Sequence, residues 1–224
     1  MNEQMPTTPH TIQVFRIFER IWHWSQAASI FILVFTGLAI HGTHSLVSFG
    51  TAVTVHTTVA IALLILWAFG TFWLFTTGQW RHYIPTTTNM LQVARYYAYG
   101  VFKGESHPFQ KTYRNKHNPL QALTYLMLKI VIFPGIWISG IAYMLVSFGL
   151  GGFFDFIPFG FIALVHSVSA IAIIIFIILH LYILTIGGFK HHVMPMITGH
   201  DEVELTIEEW AYLEADEANK LLED

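Results

Sequence analysis

The sequence contains no cysteine and few charged residues, and both absences narrow what the chain can be. Without cysteine the chain has no disulfide, no thiolate iron–sulfur cluster, no thiolate zinc site and no covalently attached c-type haem. Any metal must therefore be held by histidine, methionine or carboxylate side chains. Charged residues make up only 11% of the 224 residues while 54% are hydrophobic, which excludes an ordinary soluble domain and predicts a membrane protein.

Four apolar runs are long enough to cross a bilayer as helices, and they predict an all-α, integral membrane four-helix bundle. These runs cover residues 22–41, 53–75, 124–147 and 161–187. The third run contains Lys129 and Pro134, which we interpret as a snorkelling side chain and a kink within one span.

The basic residues predict on which side of the membrane each loop lies. Six of the eleven Lys and Arg residues fall between the second and third spans, and Arg16 and Arg20 precede the first span. The short loops 42–52 and 148–158 contain no basic residue. The positive-inside rule therefore puts the N-terminus, the long middle loop and the C-terminus in the cytoplasm.

Two segments outside the spans have a composition of their own. Residues 88–103 interleave aromatic and basic side chains, which is typical either of a helix along the membrane surface or of an ordinary loop helix. Residues 201–224 hold ten of the fourteen acidic residues. We therefore expect a transmembrane domain over residues 1–200, followed by an acidic cytoplasmic tail over 201–224.

Four histidines lie at or inside the spans, and their depths match in pairs. His23 begins the first span on the cytoplasmic side, and His56 begins the second span on the outer side. The fourth span carries His166 near the outer side and His180 near the cytoplasm. The 14 residues that separate His166 from His180 correspond to roughly 21 Å and nearly four whole helical turns, so both imidazoles share one face.

This pattern predicts two haem irons, each held by two imidazoles. His56 can meet His166 at the outer level, and His23 can meet His180 at the inner level, because helix bundles build cofactor sites from facing helices. Two axial protein ligands suit electron transfer better than oxygen binding. Two other classes stay open: a metal or proton transporter that uses these histidines as ligands, although no carboxylate lies inside a span, and a structural anchor.

Residues near the histidines allow more than one interpretation. Small residues near the histidines can make room for a macrocycle, although close helix packing explains them equally well; they are Ser167, Ser169, Ala170, Ala172, Gly37, Gly135 and Gly140. His41 and His44, at the outer end of the first span, are conceivable substitutes for His56, although their place at the membrane edge favours exposure or a propionate contact.

Five sequence motifs carry a family resemblance. They are RIWHW at 20–24, VHTTVA at 55–60, KHNPLQALTYL at 116–126, His166 with HLY at 180–182, and ITGHD at 197–201. Together they resemble the dihaem cytochrome b subunits that anchor membrane-bound nickel–iron hydrogenases, with formate dehydrogenase gamma subunits and thiosulfate reductase cytochromes b as relatives. The resemblance covers nearly all of residues 11–200.

The resemblance implies two b haems and a quinone. Histidines placed like His23 and His180 ligate the cytoplasmic-side haem of the family, and those placed like His56 and His166 ligate the outer-side haem, which agrees with the pairing from spacing. The resemblance also implies that Asn118 contacts menaquinone or ubiquinone beside the inner haem, a role that an amide group suits. An Asn before a proline is equally an ordinary helix-start signal.

The resemblance further implies an electron-transfer subunit in the cytoplasmic membrane of a bacterium or archaeon. Such a multi-pass chain works with catalytic and iron–sulfur subunits of a periplasmic oxidoreductase, of hydrogenase or formate dehydrogenase type, and passes electrons to quinone. We expect no nucleic-acid partner. In the alternative, quinol is oxidised here and electrons leave for a periplasmic reductase of thiosulfate, tetrathionate or a multihaem cytochrome c. The sequence does not set the direction, because haem potentials depend on local polarity and hydrogen bonding.

Overall fold

The computed structural model of the chain describes residues 7–13, 15–78, 90–105, 119–154, 156–186, 189–206 and 211. Its helices are α1 Ile17–Ile40, α2 Phe49–Thr76, α3 Met90–Ala98, α4 Pro119–Met127, α5 Phe133–Ser147, α6 Phe159–Ile186 and α7 Phe189–Thr198. Its strands are β1 Thr7–Gln13 and β2 His200–Thr206.

Four helices in the described part of the chain are long and apolar enough to cross a membrane, which confirms the predicted all-α membrane bundle. They are Ile17–Ile40, Phe49–Thr76, Leu123–Ser147 and Phe159–Thr185. The first two begin earlier than predicted, because polar capping groups rather than apolar residues define their ends. Ser48 Oγ accepts a hydrogen bond of 3.2 Å from the Thr51 N–H at the start of α2. At the start of α1, the Glu19 carboxylate accepts one of 2.8 Å from the Arg16 N–H.

The third span contains a π turn at the place where a kink was predicted. This turn, Leu128–Ile132, joins α4 to α5, and the Phe133 N–H bonds back five residues to the Leu128 carbonyl. Pro134 follows in the first turn of α5, where its missing N–H and its ring prevent a regular α-helical bond to the preceding turn. Lys129 lies within the π turn with an exposed side chain.

Small and hydroxyl-bearing residues fill the interior of the helical part, and large apolar side chains point outward. The interior includes Thr36, Ala52, Ser139 and Ala142, each at most 4% exposed. Phe69, Phe72 and Phe75 on α2 are 65–67% exposed. This distribution suits helices that are surrounded by lipid, because small residues let helix backbones approach closely while apolar side chains meet the acyl chains.

An aromatic cluster joins α2 to α5. The ring centroid of Trp67 lies 4.3 Å from that of Phe133 and 4.4 Å from that of Trp137. Trp67 Nε1 donates a 2.5 Å hydrogen bond to Gln26 Oε1 on α1, so the buried indole and the intramembrane amide satisfy each other. The cluster therefore ties three of the long helices together.

The middle segment forms a helix, as its sequence predicted. Helix α3 is followed by a 3₁₀ turn over Gly100–Lys103. Val93 is completely buried and Leu91 is 81% exposed, so α3 packs one face and leaves the other open. An exposed ion pair of 3.5 Å between Arg95 and Glu105 spans the end of the segment.

The chain divides into two compact units, residues 22–183 and residues 1–21 with 184–224. In the second of these, β1 and β2 form an antiparallel ribbon that runs from the pair Thr7 and Thr206 to the pair Gln13 and His200. The predicted acidic tail therefore begins with a strand. Residues 207–210 and 212–224 of that tail lie outside the described residues.

Gly199 lies directly after α7 and contacts residues at the start of α1, within the same unit. Its carbonyl accepts a 3.1 Å hydrogen bond from the Phe15 N–H, and the Arg20 guanidinium donates to the neighbouring Ile197 carbonyl. Gly199 has a φ of 89°, and a Cβ there would lie 2.9 Å from the Phe15 carbonyl oxygen. Only glycine fits both conditions.

Candidate functional site

The structure brings His56 of α2 and His166 of α6 together near the N-terminal ends of their helices. Both side chains are half-buried. Their ring centroids lie 6.3 Å apart, and their planes are inclined by 65°. An imidazole nitrogen lies about 2 Å from a metal that it ligates, so two rings on opposite sides of one ion have centroids about 6 Å apart. The observed separation therefore leaves room for one metal ion between the rings.

A hydroxyl group on α1 defines the tautomer of His56. The Thr36 hydroxyl lies 2.9 Å from His56 Nδ1 and donates its hydrogen to the Ile32 carbonyl at 2.7 Å. Because a hydroxyl has a single hydrogen, it must accept from Nδ1–H at its other contact. The lone pair of His56 is therefore on Nε2, which is the nitrogen left for a metal.

A hydroxyl group on α5 does the same for His166. The Ser139 hydroxyl lies 3.2 Å from His166 Nδ1 and donates to the Gly135 carbonyl at 2.6 Å. By the same count of hydrogens, His166 donates from Nδ1 and keeps its lone pair on Nε2. In its neutral form, each imidazole of the pair therefore presents the Nε2 lone pair to a metal.

Glycines follow both hydroxyl residues and lie close to the rings. A Cβ on Gly37 would be 3.5 Å from His56 Cε1, and a Cβ on Gly140 would be 3.2 Å from His166 Cε1. Each ring therefore approaches the backbone of the neighbouring helix. Both glycines belong to the seven small residues that were predicted either to make room for a cofactor or to serve helix packing.

His23 and His180 form the second predicted pair. They are close enough for a charge on His180 to affect His23. The His180 ring stacks on Phe176, with centroids 5.7 Å apart and planes inclined by 21°. The His23 ring meets Trp24 edge to face at 5.2 Å. His23 Nδ1 is buried and has no hydrogen-bond partner among the described residues, so this nitrogen lacks the hydroxyl support that His56 and His166 have.

Trp22 supports the helix turn that carries His23. Its indole lies so close to α2 that a Cβ on Gly70 would be 2.6 Å from Trp22 Nε1 and 2.8 Å from Cε2. Gly70 is buried. The absence of a side chain at Gly70 thus lets α1 and α2 come together beside the second histidine pair.

The remaining candidates from the sequence are His41 and His44, the conceivable substitutes for His56, and Asn118, the predicted quinone contact. His44 Nε2 lies 3.0 Å from the Phe35 carbonyl oxygen, and its ring stacks on Phe35 at 4.6 Å. His41 is exposed and lies within electrostatic reach of His166. The ring of His56 is the one that lies against the ring of His166, with centroids 6.3 Å apart. Asn118 lies outside the described residues.

The two side chains that contact His56 and His166, Thr36 and Ser139, were not predicted from the sequence. A threonine or serine inside an apolar helix is ordinary, because its hydroxyl can bond to the carbonyl four residues earlier. The available signal was the glycine that follows each of them, as Thr36–Gly37 and Ser139–Gly140.

Comparisons with known proteins match most of the chain. The family model described as prokaryotic cytochrome b561 matches residues 14–199, a range that contains all four paired histidines. A protein of Escherichia coli (strain K12) with the name "Putative cytochrome YdhU" is 29% identical to this chain over 188 residues, which cover 81% of this chain and 71% of that protein.

Proposed function

The chain belongs to the prokaryotic cytochrome b561 family, and from this premise we propose that it is a dihaem subunit linking a periplasmic oxidoreductase to the membrane quinone pool. The family consists of membrane cytochromes that bind haem b and transfer electrons. The proposal adds the number of haems, their ligands, the quinone and the type of partner.

The observation that carries the proposal is the geometry of His56 and His166. Their centroid separation of 6.3 Å accommodates an iron, and the hydroxyl contacts at Nδ1 leave an Nε2 lone pair on each ring. These residues fit the two axial positions of one haem b. A second haem b would be held by His23, near the start of α1, and His180, near the end of α6, which interact electrostatically.

The haem groups supply reversible one-electron chemistry between ferric and ferrous iron. Two histidines would hold each haem and leave no open position on the iron for oxygen, which would favour electron transfer. The aromatic cluster of Trp67, Phe133 and Trp137 joins α2 to α5 between the levels of the two histidine pairs. The chain itself has no bond-making chemistry in this proposal.

The basic residues support an orientation with both termini in the cytoplasm of a bacterial or archaeal cell. In that orientation, His56 and His166 face the periplasmic side, and His23 and His180 face the cytoplasm. The partner is then a periplasmic oxidoreductase of hydrogenase or formate dehydrogenase type with an iron–sulfur subunit. Menaquinone or ubiquinone reacts on the cytoplasmic side, where Asn118 offers an amide to a quinone oxygen.

The proposal is tested on the full chain purified from its own membranes together with its partners. Reduced-minus-oxidised absorption spectra and extraction of the haem should give two haem b per chain. A preparation with correctly inserted protein and no haem absorption would contradict the dihaem proposal and leave a transporter or an anchor. The subunits that co-purify identify the catalytic partner, and a partner without redox cofactors would contradict the electron-transfer role.

A further inference from the structure

The arrangement around His56 and His166 occurs twice, on two separate helix hairpins. In each, a hydroxyl residue followed by glycine lies on the first long helix, and the histidine lies on the next: Thr36 with His56, and Ser139 with His166. We propose that Thr36 and Ser139 are positioning residues that fix the tautomer and ring plane of the two axial histidines and lower the reduction potential of the haem between them. This inference rests on the proposed function.

Each hydroxyl is held so firmly that it can orient a ring. Thr36 and Ser139 are both 4% exposed, and each hydroxyl is anchored to the carbonyl four residues earlier on its own helix. The oxygen is therefore a fixed acceptor, and Nδ1–H can reach it only over a narrow range of ring rotations. The two hydroxyls therefore set the angle between the ring planes of His56 and His166, which is 65°.

The same contacts change how strongly the imidazoles donate electrons to iron. A ligand histidine that donates its second N–H to an oxygen becomes more basic, and such supporting groups orient the ring. A more basic pair of ligands stabilises ferric iron more than ferrous iron, which lowers the reduction potential. Removal of either hydroxyl should therefore raise the potential of this haem.

The second histidine pair provides an internal comparison. His23 Nδ1 has no hydrogen-bond partner among the described residues, so no equivalent hydroxyl supports it there. Thr36 and Ser139 lie at the level of the other pair, and the histidines that their hydroxyls contact are His56 and His166. Their removal should consequently leave the haem of His23 and His180 unchanged.

The test compares Thr36→Val, Ser139→Ala and the double variant with the unmodified chain. Potentiometric titration should show that one haem shifts upward in each single variant and that the double variant shifts the same haem further, because each residue supports a different ligand. If a substitution reduces the preference of the ligands for ferric over ferrous iron tenfold, the reduction potential rises by about 59 mV, because one electron is transferred. Low-temperature EPR of the ferric protein should change for the same haem, since its g values depend on the angle between the axial ring planes.

Matched controls separate this role from a structural one. Ser29→Ala on α1 and Ser147→Ala on α5 each remove a hydroxyl that bonds to the carbonyl four residues earlier, as Thr36 and Ser139 do. These controls should leave both potentials and both EPR signals unchanged. Thr36→Ser keeps the hydroxyl and should restore the original potential.

The outcomes distinguish the inference from the function on which it rests. Unchanged potentials and EPR signals in Thr36→Val and Ser139→Ala, with both haems present, would overturn the inference alone. An equal shift in Ser29→Ala or Ser147→Ala would overturn it as well. If Thr36→Val loses the haem, retention in Thr36→Ser supports the inference, and loss in both contradicts it. A complete lack of haem in the unmodified chain would overturn both proposals.

Discussion

Substitution of Gly70 on α2 by alanine should displace the Trp22 indole on α1 and so disturb the neighbouring site of His23 and His180. The new Cβ would lie 2.6 Å and 2.8 Å from two atoms of the Trp22 indole, which is a rigid ring rather than the flexible end of a side chain. Overpacking of this kind costs about 1–3 kcal/mol, whereas alanine gains about 1 kcal/mol over glycine in a helix. The clash outweighs the gain, with a net loss of up to about 2 kcal/mol.

The displaced indole belongs to the residue directly before His23, so the expected result is local. Gly70→Ala should lower the occupancy or shift the potential of one haem, leave the haem of His56 and His166 intact, and reduce the thermal midpoint of the purified protein. Haem content, redox titration and thermal unfolding in detergent measure these three effects. Gly50→Ala on the same helix is the control, because nothing lies within 4 Å of the added Cβ. Full stability and two normal haems in Gly70→Ala would refute the argument.

The remaining predictions concern ligands and quinone. His56→Ala or His166→Ala should remove one haem per chain and preserve the other. His23→Ala or His180→Ala should remove the second haem instead. Extraction of haem from each purified variant measures the number that remains, and survival of both haems would contradict the pairing. Asn118→Ala should slow quinone reduction by up to about tenfold at normal haem content, as expected for one lost hydrogen bond, and an unchanged rate would exclude this residue from the quinone site.

The four spans could be predicted because each apolar run by itself exceeds the thickness of a bilayer. Their first residues could not, since helix starts depend on capping groups. Ser48 and Glu19 provide those groups here, and polar residues of this kind are found equally in loops. The strands β1 and β2 were missed for a different reason. They come from opposite ends of the chain, and neither shows a pairing signal alone.

The histidine positions could be predicted from helical periodicity, because the spacing of His166 and His180 puts both on one face. The groups that orient these rings could not. Thr36 and Ser139 look like any other small polar residues in an apolar helix, and their contacts with the histidines appear only when α1 is placed against α2 and α5 against α6. Gln26 was missed in the same way, since its partner Trp67 lies on another helix.

The pairing of β1 with β2 imposes an order on synthesis and folding. Thr7 leaves the ribosome before the helix Ile17–Ile40, and its partner Thr206 follows only after the helix Phe159–Thr185 has been made. Until β2 emerges, β1 cannot form this ribbon, because the four membrane-length helices of the described residues separate the two strands in sequence. Ribbon closure therefore requires a chain translated through β2, and a product truncated before His200 cannot form it.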